Sequence, residues 1–108
     1  MFSRALVLHQ CEISELSYDI WNSIQDTFTL EEEQNRDLII DYIAGYLEEL
    51  LNSYGCTDFL IWNEDKDRWE LMNENYLASL IYQDYIMYDI KYYLLFRAKK
   101  SNRIEKND

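Results

Sequence analysis

The chain has 108 residues with no proline and two glycines, and its 48% hydrophobic and 16% aromatic content suffices for the core of one domain, which argues against an unfolded chain. Its net charge of −11 argues against direct binding to nucleic acid or to a membrane surface, because both present negative phosphates, and favours a basic protein partner. The charge is uneven: residues 12–89 hold nineteen acidic and three basic side chains, whereas residues 91–108 hold six basic and two acidic ones. We therefore expect one acidic domain over residues 1–97 and a basic, frayed tail over residues 98–108.

The first ten residues contain an apolar run that is too short for the core of a signal peptide, and no small-residue cleavage site follows it. We therefore expect a cytoplasmic protein in a reducing compartment, where Cys11 and Cys56 are free thiols. Residues 2–9 are compatible with either a strand or a first helical turn, since periodicity does not separate the two at this length.

Two helices are predicted next. Apolar residues recur at intervals of three and four from residue 13 to residue 24, which predicts a helix that is capped near Ser14 and fades at residues 26–29. Thr29 with Glu32 has the spacing of a capping box, and it predicts a second helix over residues 30–53. Gly55 supplies the expected left-handed stop.

A hairpin signal follows the second helix. Residues 58–62 and 68–72 are β-prone runs separated by a polar turn, which predicts two antiparallel strands with Trp62 opposite Trp69. Asn73 or Asn75 is placed to cap the element that comes next.

That element, residues 76–96, holds six of the ten tyrosines and few positions suited to water. We predict a helix over residues 74–84 and then a strand over residues 86–97, because apolar side chains alternate there and Tyr, Ile and Phe favour strands. One continuous helix is the alternative. Asp84, Asp89 and Lys91 lie inside the stretch, and their cost near a bilayer centre argues against a membrane span.

Taken together, these elements predict an α+β fold in which two or three helices pack on a small antiparallel sheet that includes the 58–72 hairpin. The alternative is a mostly α fold with a long C-terminal helix.

An acidic stripe on the second helix is the strongest indication of function in the sequence. At ~100° per residue, Glu33, Asp37, Asp41 and Glu48 fall within a sector of roughly 80° opposite the apolar face. A four-residue step rises ~6 Å, comparable to the spacing of successive phosphates along a nucleic-acid strand. A row of carboxylates at that pitch can occupy a groove built for phosphates. Further acidic residues extend this predicted surface: Glu31, Glu32, Asp19, Asp26, Glu12 and Glu15.

The alternative interpretation is a polar helix face that only aids solubility. An ordinary polar face, however, mixes signs and gains from pairs four residues apart. This face has Arg36 as its one cation, so like charges repel without local compensation, as is typical of a functional surface.

The tyrosines suggest a second surface. Tyrosine combines a large apolar area with a polar tip and is enriched at protein interfaces. The alternative is an aromatic core, which we expect for about half of them. A chain of this size has limited room to bury all of them, which favours a partner surface or a homodimer seam at Tyr82, Tyr85, Tyr88, Tyr92 and Tyr93.

The sequence predicts neither a metal site nor a cofactor. His9 and Cys11 form a lone pair where structural zinc needs four ligands. Residues 63–74 have the acidic spacing of a calcium loop, but Arg68 stands where the loop needs glycine. No nucleophile motif or phosphate-binding loop is present, so we expect a protein without enzymatic activity.

These features predict a non-enzymatic inhibitor that binds a basic nucleic-acid-handling protein, such as a nuclease, through an acidic face that mimics nucleic acid. In size and charge alone, the chain resembles phage-encoded antagonists of restriction and CRISPR nucleases, and immunity proteins or antitoxins that cap a nuclease; no motif matches a family. The alternative is a structural or scaffolding protein that homo-oligomerises through its Tyr-rich segment.

Overall fold

The computed structural model describes residues 4–31 and 35–106, with side chains described up to residue 100. The elements in chain order are β1 (Ala5–Leu8), α1 (Gln10–Thr27), α2 (Arg36–Ser53), β2 (Asp58–Asn63) and β3 (Arg68–Met72). A continuous helical stretch follows, made of α3 (Glu74–Ile81), a π-helical turn (Tyr82–Ile86) and α4 (Met87–Lys106). The predicted α+β class is confirmed.

The three described strands form one sheet in the order β1-β2-β3. Strands β2 and β3 are antiparallel with Trp62 opposite Trp69, as predicted. Strand β1 pairs parallel to β2, so that Ala5 lies opposite Asp58. Residues 5–8 of the N-terminal run therefore form a strand, and the sheet is mixed rather than wholly antiparallel. A parallel pair needs a long crossover, and here α1 and α2 supply it.

Both N-terminal helices begin at other residues than predicted. Helix α1 starts four residues earlier than expected, where the His9 amide donates to the Glu12 carboxylate at 3.2 Å. Ser14, the expected cap, instead hydrogen-bonds the Tyr85 hydroxyl through its own side chain at 3.2 Å. The predicted cap was wrong because the helix begins about one turn earlier, with His9 as its N-cap residue and the Glu12 carboxylate accepting from the His9 amide.

Helix α2 begins at Arg36 and not at residue 30. The Asn35 side chain caps it by accepting from the amides of Asp37 and Leu38 at 3.1 and 3.3 Å. Leu30, which was expected to be helical, lies before the helix and its side chain is buried. Glu32 of the expected capping box lies outside the described residues. The predicted stop is confirmed, since Gly55 has φ of +65°.

The predicted strand over residues 86–97 is wrong, because the helix continues through it. Ile86 and Ile90 are buried, and Tyr93 and Leu94 are half-buried against the core. These positions recur at the three- and four-residue spacing of a helix, so burial on one helical side outweighed the strand preference of the residues. The backbone of residues 98–106, expected to be a frayed tail, extends the same helix.

The core lies between the helices and the inner face of the sheet. Phe59 of β2 is fully buried, and α2 packs closely along α3. The largest fully buried side chains of the core are Phe59, Ile20, Ile24, Ile39, Ile43, Leu47, Leu77, Ile81 and Ile86. No described helix is both long and apolar enough to cross a membrane.

Candidate protein-binding surfaces

The acidic stripe of α2, defined on the described residues as Asp37, Asp41 and Glu48, is exposed along its whole length. The side of α2 that faces the core is buried, which leaves these carboxylates on the opposite side. Glu33, the fourth predicted member, lies outside the described residues, as does Glu32. Glu31 is exposed just before α2. The structure thus places three predicted members of the stripe together in water.

A second acidic row runs along α1, where Glu12, Glu15, Asp19 and Asp26 are all exposed. Glu12, Asp19 and Asp26 follow one another at intervals of seven residues, which is almost two full turns, and so lie on one side of the helix. This row was expected only as an extension of the stripe, and the structure gives it a helix face of its own.

The row on α1 borders the seam between α1 and α2. The Tyr42 hydroxyl of α2 hydrogen-bonds the Ser23 and Thr27 hydroxyls of α1, the latter at 3.2 Å. Burial raises the pKa of the Tyr46 hydroxyl, and the charge of Asp19 raises it further, with a smaller effect from Tyr42. Asp19 therefore lies beside this seam.

Around α2, by contrast, the stripe is turned away from the seam. At ~100° per residue, Asp41 lies about 100° from Tyr42, and Glu48 lies about 160° from Tyr46. The row on α1 therefore lies beside the seam and the stripe on α2 lies away from it, so the two acidic rows do not form one flat face.

Four cations of the described chain contact groups that belong to neither acidic row. Its two ion pairs join Lys66 and Arg68 to Glu70 in the hairpin, each at 3.4 Å. The guanidinium of Arg36 lies over the Tyr82 ring at 5.6 Å. Arg97 donates to the Leu30 carbonyl at 2.9 Å. None of the three stripe carboxylates forms an ion pair with a described residue.

The five tyrosines predicted as an interface divide into two groups. Tyr82 is buried, while Tyr85 and Tyr93 are half-buried, and Tyr93 packs edge-on against Trp21 at 6.1 Å. Tyr88 and Tyr92 are exposed, at 50% and 68% of their surface. The second group, four residues apart on α4, is the more accessible to another molecule.

Sequence reasoning missed an apolar surface, the outer sheet face, formed by Val7, Leu60, Trp62, Trp69 and Leu71. Val7, Trp69 and Leu71 are exposed, and none of the five belongs to the hydrophobic core or packs against it. The sequence pattern that could have indicated this surface is the unbroken apolar run over residues 59–62, which is typical of a strand with both faces covered. Among the described residues, the core side chains of β2 and β3, which are Phe59, Ile61 and Met72, all lie on the other face of the sheet.

Among the residues considered for metals, Asn63 has a structural role. Asn63 accepts from the Lys66 amide and so closes the hairpin turn. Cys11 is an exposed free thiol, and Cys56 is a half-buried one whose sulfur lies 3.6 Å from the Tyr54 carbonyl oxygen. In the described part of the chain, no three His, Cys, Asp or Glu side chains are grouped closely enough to hold a metal ion.

Comparison of the chain with protein-family models, with curated proteins and with solved structures gives no match.

Proposed function

We propose that this protein is a non-enzymatic inhibitor that binds a basic, nucleic-acid-handling protein, such as a nuclease, through its acidic helices. The observation that carries the proposal is the stripe of α2. Asp37, Asp41 and Glu48 are exposed on one side of a rigid helix and form no ion pair with any described residue. An uncompensated row of like charges destabilises the chain that carries it, and a cationic partner removes that repulsion.

The spacing of the stripe suits a groove that binds phosphates. A step of four residues along α2 rises ~6 Å, and the step of seven from Asp41 to Glu48 rises ~10.5 Å. The carboxylates are fixed at these intervals by the helix backbone, so no backbone ordering is needed on binding. Gly45 lies between them without a side chain and leaves the middle of the stripe open to close approach.

The test is an affinity pull-down from the source cell with three forms of the chain. The stripe variant is Asp37→Asn/Asp41→Asn/Glu48→Gln. The matched control, Asp58→Asn/Asp67→Asn/Glu74→Gln, removes the same number of charges elsewhere. Circular dichroism establishes that all three forms are folded.

We expect the wild-type chain and the control to capture the same basic protein and the stripe variant to lose most of it. Rising salt and excess duplex DNA should both release the captured protein, because the contact is made of many exposed charges in a phosphate site. Equal capture by the stripe variant, or a captured protein that duplex DNA leaves in place, contradicts the proposal.

A second candidate function, self-association as a structural or scaffolding protein, is favoured by one observation on α4. Tyr88, Tyr92 and Leu95 are exposed at positions i, i+4 and i+7, which form one helical side. This function predicts a dimer whose dissociation constant is nearly independent of salt, since apolar contacts carry it. Sedimentation equilibrium at low and high salt distinguishes it from the first candidate, and a monomer at both salt concentrations excludes it.

A further inference from the structure

A cavity of about 290 Å³ opens on the side of the molecule where α1 begins, the hairpin turns and the C-terminal helix contains its π-helical turn. Its volume is close to the lower limit of roughly 300 Å³ for small-molecule sites. No residue of the acidic stripe lines it. It is therefore a separate feature of the molecule.

The floor of this cavity is apolar. It is formed by side chains that are almost completely buried and that come from four different elements: Ile13, Ile61, Met72, Leu77 and Ile81. Since each belongs to a helix or a strand of the core, the floor is preformed and needs no rearrangement to receive an apolar group.

The mouth of the cavity is acidic. Glu64 and Asp65 reach it from the hairpin turn, and Asp84 reaches it from the π-helical turn. All three are exposed, and none forms an ion pair with a described residue. Lys66, the neighbouring cation, is paired with Glu70 at 3.4 Å instead. Neither lysine nor arginine lines the cavity.

The π-helical turn helps to build this mouth. Asp84 and Tyr85 both lie in it and both line the cavity. The wider turn changes the direction of these side chains from that in an uninterrupted α-helix, and such turns are frequent at functional sites. The Tyr85 hydroxyl is tied to the Ser14 hydroxyl at 3.2 Å, which fixes this wall to α1.

From these features we infer that the cavity binds the side chain of a lysine or arginine in a basic partner protein. Such a side chain has an apolar stem that suits the floor and a cationic tip that suits the acidic mouth. An anionic group would be repelled at the mouth, and a neutral apolar group would gain no attraction from the carboxylates. That the side chain comes from a basic partner protein rests on the proposed function. The preference of the cavity for an apolar stem with a cationic tip is argued from the residues that line it.

The experiment is an NMR titration of the whole ¹⁵N-labelled chain with n-butylguanidinium and, separately, with its neutral analogue n-butylurea. We expect amide shifts centred on residues 61–65 and 77–85, with a dissociation constant for the cation on the order of millimolar. The neutral analogue should bind about tenfold more weakly, because it lacks charge-assisted contacts. A second arm compares a blocked Gly-Arg-Gly peptide with the same peptide containing citrulline.

Two variants complete the test. Asp65→Asn/Asp84→Asn should weaken n-butylguanidinium binding several-fold, whereas Asp37→Asn/Asp41→Asn, with the same loss of charge on α2, should leave it unchanged. Equal binding of the cation and its neutral analogue overturns the inference without requiring any variant to fold. Shifts spread over the whole acidic surface, no shift at high ligand concentration, or binding of the small cation but not of the arginine peptide also overturn it. Since the stripe is intact in the cavity variant, failure here and failure of the pull-down are separate results.

Discussion

Gly45 has a backbone that does not require glycine. It is an exposed residue in the middle of α2 and, unlike Gly55, does not have a positive φ. A Cβ atom built on it meets no atom within 4 Å. Glycine inside a helix is destabilising relative to alanine by roughly 0.5–1 kcal/mol, so the chain carries this cost within its acidic stripe.

Gly45→Ala should therefore raise the free energy of unfolding by about 0.5–1 kcal/mol, because it lowers the entropy of the unfolded chain and adds no clash. Urea denaturation followed by circular dichroism measures it. As a control, Gly55→Ala should lower stability by about 1–2 kcal/mol, since Gly55 is in the left-handed region. Destabilisation by Gly45→Ala would mean that its backbone has a close neighbour.

Asp89 offers a prediction about pH. It is half-buried in α4, and burial raises the pKa of its carboxyl above the ordinary value of 3.8. A carboxyl whose folded pKa is raised contributes stability below pH 3.8, and this contribution is lost as pH rises through the folded pKa. At neutral pH the charged form therefore opposes folding.

Asp89→Asn should consequently raise the melting temperature at pH 7 and have little effect at pH 3, where the wild-type carboxyl is also protonated. Thermal denaturation across this range gives the measurement. Asp41→Asn, which removes one exposed charge from the stripe, gives the baseline that the effect of Asp89→Asn at pH 7 must exceed. The prediction fails if Asp89→Asn stabilises the protein equally at both pH values.

At the scale of elements, local chemistry decided how well each could be predicted. The hairpin was predictable because a polar turn separates two β-prone runs. Of the two asparagines expected to cap the next helix, Asn73 does so, since its side chain accepts from the Tyr76 amide at 2.8 Å. The helix over residues 87–97 was not predictable, since its apolar residues fit both a strand and a helix. What decided between them was packing of Ile86 and Ile90 into a core assembled from distant elements.

The Trp62–Trp69 pair gives the element-scale prediction. Their rings meet edge-to-face with centroids 5.4 Å apart. A double-mutant cycle with Trp62→Leu and Trp69→Leu should give a coupling energy of about 0.5–1.5 kcal/mol, measured by urea denaturation. A matched cycle with Trp62→Leu and Trp21→Leu should give coupling near zero, because Trp21 packs on Tyr93 instead. Equal coupling in the two cycles would contradict a direct interaction.

At the scale of the whole molecule, the candidate surfaces differ in how far the sequence revealed them. Exposure of Asp37, Asp41 and Glu48 follows from helical periodicity alone. The acidic mouth at Asp65 and Asp84 does not, because it depends on where the hairpin turn meets the C-terminal helix. The outer sheet face required knowing which side of the sheet the helices cover.

The net charge of −11 leads to opposite salt effects on folding and on binding. Salt screens the repulsion among carboxylates within the folded chain, so the melting temperature should rise by several degrees between about 20 and 500 mM sodium chloride. Capture of the basic partner should fall over the same range. Differential scanning calorimetry and the pull-down measure the two effects, and a melting temperature that falls with salt contradicts the first.

The parallel pairing of β1 with β2 has a consequence for the order in which the protein is built. Ala5 leaves the ribosome first, but its partner in the sheet, Asp58, is synthesised more than fifty residues later. At a synthesis rate of roughly 5–20 residues per second, β1 has no strand to pair with for several seconds. The α2, hairpin and α3 contacts are closer in sequence and form with smaller loop-closure costs. Of the three described strands, we therefore expect β1 to be made first and to dock last, and until it docks, β2 has an open edge to which another nascent chain can pair.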